Sequence, residues 1–193
     1  KLMENITTVI LAAGRSTRFV AKKSKLTQEL AGLPIVSHVY NTAKKISGKN
    51  IVVICNKENH EELKNILPES ILVIQKLQKG TADAIMTAKL SIKTKNFIVL
   101  FGDVPLVTYS SLKKLVNSFK LNNTASMILF KTSKPKGYGR VIINNKKVEK
   151  VIEEIDTTTS ERLIEICNSG IMMINKEVFF KNIKLIKINK KKK

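Results

Sequence analysis

The stretch TTVILAAGRSTRFVAKKSK, residues 7–25, opens as an apolar, β-branched run, narrows to two alanines and a glycine, and ends in cations. Val9, Ile10 and Leu11 are apolar at successive positions, the pattern of a strand buried on both faces. Parallel strands covered by helices on each side have that character, so the opening run points to an α/β fold. Ala12, Ala13 and Gly14 follow at once, and Arg15, Arg18, Lys22, Lys23 and Lys25 crowd into the next residues. In open α/β sheets the ligand site lies beyond the carboxyl ends of the strands. There, backbone N–H groups of small residues approach a phosphate closely, which bulkier side chains would prevent. Read by itself, the segment carrying Gly14, Arg18 and Lys25 is either a cradle for a polyphosphate or a solvated basic loop.

Working outward, similar runs rich in Ile, Val and Leu recur at 51–55, 71–74, 97–101, 125–130 and 170–174. Helix-like stretches lie between them: one opened by Pro34 and running to about Ile46, one over 81–90 and one over 110–121. This alternation predicts a Rossmann-like, mostly parallel sheet in an α/β/α sandwich. RVIINNKKVEKVIEE, residues 140–154, breaks it, because Asn144-Asn145 between two alternating runs signals a hairpin. A small antiparallel insertion is expected there, suited to a lobe that covers a substrate.

Length and composition fit a globular chain: 193 residues, 43% apolar, with 4 Pro and 8 Gly. No apolar run approaches the roughly 20 residues of a membrane-spanning helix, and residues 6–13 lack a signal-peptide pattern. The expectation is a cytoplasmic protein with no membrane partner. Cys55 and Cys167 each sit in an apolar run and read as buried free thiols; no zinc or haem motif is present. The net charge of +20 raises a nucleic-acid partner. Yet Lys, Ile and Asn make up 71 of the 193 residues, so A/T-rich codon usage accounts for much of the charge. Aromatic content of 5% is poor for stacking bases, and nucleic acid is not the expected partner.

The motif search removes two nucleotide-binding classes. With Gly14 alone there is no GxGxxG, and GxxxxGK[ST] is missing as well. FIVLFGDVPLV, residues 97–107, delivers one carboxylate, Asp103, at the end of an apolar strand. Such an aspartate either holds Mg²⁺ against phosphates or caps the turn that follows.

These stretches carry a resemblance. LAAGRSTRFVAKKSK resembles the LAAGxGTRMxSxxPK signature of sugar-nucleotide pyrophosphorylases. Within that group the chain is similar to the N-terminal domain of the bacterial bifunctional N-acetylglucosamine-1-phosphate uridyltransferase/glucosamine-1-phosphate acetyltransferases. LAGLPIVSHV (30–39), QKLQKGTADAI (75–85), LFGDVPLV (100–107), GYGRVI (137–142), VIEEIDTT (151–158) and CNSGIMMIN (167–175) match its segments in order and spacing. LAAGRSxR also suits molybdopterin guanylyltransferases and cytidylyltransferases, against which the later GYGR and CNSG segments speak.

The resemblance implies a nucleotide-diphospho-sugar transferase fold and a division of labour. Leu11, Ala12, Ala13 and Gly14 take the nucleotide through backbone groups. Arg18 and Lys25 neutralise the triphosphate and the leaving pyrophosphate. Gln75, Gly80 and Thr81 read the uracil edge, Asp103 binds Mg²⁺, and Gly139, Glu153 and Asn168 hold the hexose and its N-acetyl group. The implied reaction joins UTP and N-acetylglucosamine-1-phosphate, a phosphate oxygen attacking the α-phosphorus in line. A homo-oligomer is left open.

The chain departs from the pattern at Ser16 in place of a glycine, at Ser24 in place of a proline, and at Asp83 in the GTxHA loop. The Ser24 exchange is expected to loosen the segment that positions Lys25. The family's domain continues further, with an asparagine as second metal ligand and an acetyltransferase β-helix beyond. The expectation is therefore a truncated transferase domain over 1–183, followed by a lysine-rich tail over 184–193. A non-catalytic remnant of that enzyme is the alternative it leaves.

Overall fold

The computed structural model describes residues 5–14, 24–77, 80–121 and 124–185. They form β1 (Ile6–Leu11), the short ribbon β2 (Glu29–Leu30) and β3 (Leu33–Pro34), α1 (Ile35–Ser47), β4 (Ile51–Cys55), α2 (His60–Ile66) and β5 (Ile71–Ile74). There follow α3 (Thr81–Thr87), β6 (Asn96–Phe101), α4 (Tyr109–Lys120), β7 (Ala125–Lys131), β8 (Arg140–Asn144), β9 (Lys147–Ile152), β10 (Ile166–Asn175) and α5 (Lys176–Asn182). The chain divides into two compact units, one of residues 1–126 with 173–193 and one of residues 127–172. Among the described residues, no helix is long and apolar enough to cross a membrane.

In the first unit the strands run β5-β4-β1-β6, with β6 next to β10, whose end at 173–175 belongs to this unit. The β4–β5, β1–β4 and β1–β6 pairs are all parallel, with Thr8 beside Ile51 and Thr8 beside Ile98. Central position explains the unbroken apolar runs: every residue of β4 is buried, as are Val9 and Ile10 of β1. Side chains alternate between faces along a strand. On β1, the Thr8 hydroxyl meets Ser47 of α1 at 2.6 Å, while Thr7 turns to Thr94 on the other face. Each large aliphatic side chain buried here contributes about 1.5–3 kcal/mol.

α1 buries Val36, Val39, Tyr40, Ala43 and Ile46, spaced to line one face, and packs on β1 and α4. Pro34 precedes its first turn, and Gly48, at φ 57°, ends it with its N–H on the Lys44 carbonyl. α3 stops at Thr87, short of the expected residue 90. The Ala88 N–H turns to the Ile85 carbonyl, tightening the last turn, and Leu90 is left exposed.

The second unit is antiparallel. β8 pairs with β9 as a hairpin and with β10 at Arg140 and Cys167, and β7 also pairs with β10. The hairpin turn is one residue later than the sequence suggests: Asn145 (φ 48°) and Lys146 (φ 61°) occupy its corners, with Asn144 paired to Lys147. Two left-handed residues match the right-handed twist of the strands, and they achieve it without glycine. Both cysteines are buried and free.

Candidate functional site

The strand order reverses around β1: the chain moves outward through β4 and β5 on one side, then returns to lay β6 on the other. Such a switch point opens a crevice at the carboxyl ends of the two strands concerned. β1 ends there in Ala12, Ala13 and Gly14, and β6 ends in Gly102 and Asp103. The two ends are joined by the Gly102 N–H on the Leu11 carbonyl at 2.9 Å. A Cβ at Gly102 would lie 3.2 Å from the Leu11 oxygen and 3.3 Å from Leu26 Cδ2, so only glycine fits without displacement.

The loop after β1 is fastened from beneath. Asn59 Nδ2 donates to the Ala12 carbonyl at 2.8 Å, and Asn56 Nδ2 donates to the Ala13 carbonyl at 3.2 Å. The two asparagines also lock each other, each backbone N–H donating to the other's side-chain oxygen at 2.9 Å. Both are buried. Gly14 is exposed, its φ is not left-handed, and among the described residues a Cβ there would meet nothing within 4 Å.

Lys25 begins a 3₁₀ turn, Lys25–Thr27, whose buried Leu26 lies against Gly102. That anchor sets the Lys25 ammonium 3.1 Å from Asp103 Oδ2. The side chains are 47% and 43% exposed, so the pair is solvent-screened and contributes only about 0–1 kcal/mol. Ser24 has φ −58°, a value a proline would also hold, and its hydroxyl accepts from the Leu26 N–H. The expected loosening is thus offset by a cap. Asp103 does not cap α4; Thr108 does, accepting from the Ser111 N–H at 3.1 Å. Arg18 and Ser16 lie outside the described residues.

Gln75, at the end of β5, is buried; its N–H donates to the Cys55 carbonyl, and its Nε2 donates to Asp83 Oδ2 at 2.7 Å. Gly80 precedes α3 at φ 102°, a conformation that favours glycine, and Thr81 is exposed as the first helical residue.

In the second unit, Arg140 stands opposite both Ile152 and Cys167. Antiparallel pairing therefore sets Gly139 beside Asn168 and Glu153, and the Asn168 N–H donates to the Gly139 carbonyl at 2.9 Å. Asn168 Oδ1 accepts from the Gly170 N–H, and a Cβ at Gly139 would sit 3.4 Å from Val151 Cγ1. Below them Arg140, almost wholly buried, donates to Glu154 at 2.8 Å and to the Tyr138 carbonyl, while Glu154 also takes the Gly137 N–H. That network shapes the GYGR turn. The motif reading named Gly139, Glu153 and Asn168 but missed the Arg140–Glu154 support and the Asn56–Asn59 brace. The NKEN spacing at 56–59 was the available sign, since asparagines three apart after a strand suit a reciprocal turn.

Comparison with known families adds the deciding observation: the MobA-like NTP transferase domain matches residues 8–165. The chain belongs to that family. This MobA-like transferase domain is 40% identical over 176 residues to the bifunctional protein GlmU of Buchnera aphidicola subsp. Schizaphis graminum, covering 90% of this chain and 38% of that protein. GlmU of Staphylococcus epidermidis is 37% identical over 184 residues, covering 93% of this chain and 41% of that one. The chain thus spans about two fifths of the length of these relatives. Among solved structures, the domain matches CMP:2-keto-3-deoxy-manno-octonic acid synthetase complexed with CTP, with TM-score 0.76, 15% identity and coverage of 96% and 80% of the two chains. It also matches UDP-glucose pyrophosphorylase complexed with UDP-glucose, with TM-score 0.75, 16% identity and coverage of 95% and 81%. At these identities the likeness shows the fold: α/β with a mostly parallel sheet, as expected.

Proposed function

We propose that this MobA-like domain is a sugar-1-phosphate uridylyltransferase, transferring UMP from UTP to N-acetylglucosamine-1-phosphate with release of pyrophosphate. The observation that carries the reading is what meets at the carboxyl ends of β1 and β6, the switch point of the sheet. A small-residue loop braced from below and an ammonium beside a carboxylate converge there. The sugar and base are supported by the motif resemblance, which covers Gln75, Gly80, Thr81, Gly139, Glu153 and Asn168.

In this reading the loop from Leu11 to Gly14 receives the triphosphate along its backbone. Lys25 is held by Asp103 only through a screened pair, so a polyanion draws its ammonium over at little cost. Lys25, joined by Arg18, then neutralises charge on the pyrophosphate as the bond from the α-phosphorus to the bridging oxygen breaks. The nucleophile is an oxygen of the sugar phosphate, already ionised, so no side chain has to remove a proton. Alignment of that oxygen with the leaving group is the main task of the site. Asp103 offers an exposed hard oxygen already suited to a cation, which fits Mg²⁺, an ion held by one or two carboxylates with phosphates and water completing its shell. When bound, Mg²⁺ supplies further neutralisation of phosphate charge.

The test is release of pyrophosphate from UTP, N-acetylglucosamine-1-phosphate and Mg²⁺. Release by the wild-type chain that falls at least about 100-fold in Asp103→Asn is expected, the order found when one charge-stabilising group is lost. No release from a folded chain would count against the reading.

A further inference from the structure

We infer that Asp83 is a positioning residue for base selection: it holds the Gln75 amide in one orientation. The site then takes a nucleoside triphosphate whose base edge carries an N–H beside a carbonyl. The inference rests on the proposal above that this crevice binds such a triphosphate. It concerns a residue at which the chain departs from the GTxHA pattern.

Gln75 is fixed at its backbone by the ladder bond to Cys55 and is buried along its side chain. Its remaining freedom is a half-turn of the terminal amide, which exchanges a donor for an acceptor at nearly the same place. Asp83, in the first turn of α3, removes that freedom. An ionised carboxylate only accepts, so the atom of Gln75 lying 2.7 Å from Asp83 Oδ2 is necessarily Nε2. The hydrogen bond is charge-assisted, and reversing the amide would set two oxygens against each other. The carbonyl Oε1 is consequently left to a donor other than Asp83, with one further N–H on Nε2 beside it.

A carbonyl facing the ring nitrogen of a base pairs with an N–H there. Uracil carries that N–H, with a ring carbonyl next to it to accept from Nε2. Cytosine in the same pose presents a bare ring nitrogen, so two acceptors face each other. An amide free to turn accommodates both bases; one latched by a carboxylate accommodates the first.

The experiment is equilibrium binding of UTP and of CTP, each with Mg²⁺, to the full chain and to Asp83→Asn, Asp83→Ala and Asp83→Glu, with circular dichroism confirming the fold. The wild-type chain is expected to favour UTP by about tenfold or more, the scale of one mismatched hydrogen bond. Asparagine both donates and accepts, so in Asp83→Asn the preference falls toward parity; Asp83→Ala behaves likewise, and Asp83→Glu keeps the preference. A merely structural aspartate would weaken both nucleotides in equal proportion and leave the ratio unchanged, which overturns the inference. Equal binding of UTP and CTP by the wild-type chain also overturns it. Binding of neither nucleotide by the folded chain contradicts the proposed function itself, a failure distinct from the other two.

Discussion

Glu154 accepts from the Gly137 N–H at 3.0 Å and from Arg140 Nη1 at 2.8 Å, so its carboxylate closes the turn that carries Gly139. These partners hold its pKa below the ordinary 4.5, the Gly137 N–H most strongly and the Arg140 side-chain bond next. A depressed carboxylate stabilises the fold fully above its unfolded pKa, and that stabilisation is lost as pH falls through the lower folded value. Acid unfolding followed by circular dichroism is therefore expected to have a shallower pH dependence below the ordinary carboxylate range in Glu154→Gln than in the wild-type chain. Asn59 works differently, by hydrogen bonds alone. Asn59→Ala leaves the Ala12 carbonyl and the Asn56 N–H without their side-chain partners in a buried place. The expected loss is about 1–3 kcal/mol in denaturant unfolding, with weaker nucleotide binding because the loop is unbraced. That Lys25 and Asp103 come together was legible, because a cation and a carboxylate following apolar strands stand out locally. Of the asparagine brace only the turn was legible, from the NKEN spacing; its hold on the Ala12 and Ala13 carbonyls was not, since that arises only once the β1 loop is folded onto it.

At the scale of elements, the apolar runs gave their strands almost to the residue: β4 because burial on both faces leaves no polar interruption, and the edge strand β5, with Ile71 exposed, because its four residues are all aliphatic. β4 and β5 coincide with the expected 51–55 and 71–74. α1 was equally clear, its buried positions spaced for one helical face and bounded by Pro34 and Gly48. α2 went unread: among its residues only Leu63 is buried, too little to make a periodic signal. β10 runs from Ile166 to Asn175, longer than the expected 170–174, because Cys167 extends it by pairing with Arg140. The hairpin was found but its turn misplaced by one residue, since neither corner carries the glycine that marks such turns. Lys146, at φ 61°, bears the cost of the left-handed conformation. Lys146→Gly is expected to raise stability by about 0.5–1 kcal/mol, the left-handed cost of roughly 1–2 kcal/mol less the entropy of a more flexible unfolded chain. Thermal unfolding reads the difference, and an unchanged or lowered midpoint would contradict it.

For the whole molecule, charge is the property that most invites misreading. A net +20 attracts any polyanion, yet 31 lysines against 4 arginines are spread along the whole chain. Collinear motifs across the chain gave its family more securely than charge gave a partner. Diffuse attraction and a built triphosphate site make different demands on a single residue. Removing one lysine of 31 scarcely alters the field of the molecule, whereas Lys25 stands at the crevice itself, beside Asp103. The most direct measurement is a calorimetric titration of UTP with Mg²⁺ at physiological salt into the wild-type chain and Lys25→Ala. Saturable, one-to-one binding that weakens at least about tenfold in the variant is the predicted result. Binding of equal strength in both, or none in the folded wild-type chain, would contradict a triphosphate site at the end of the first strand.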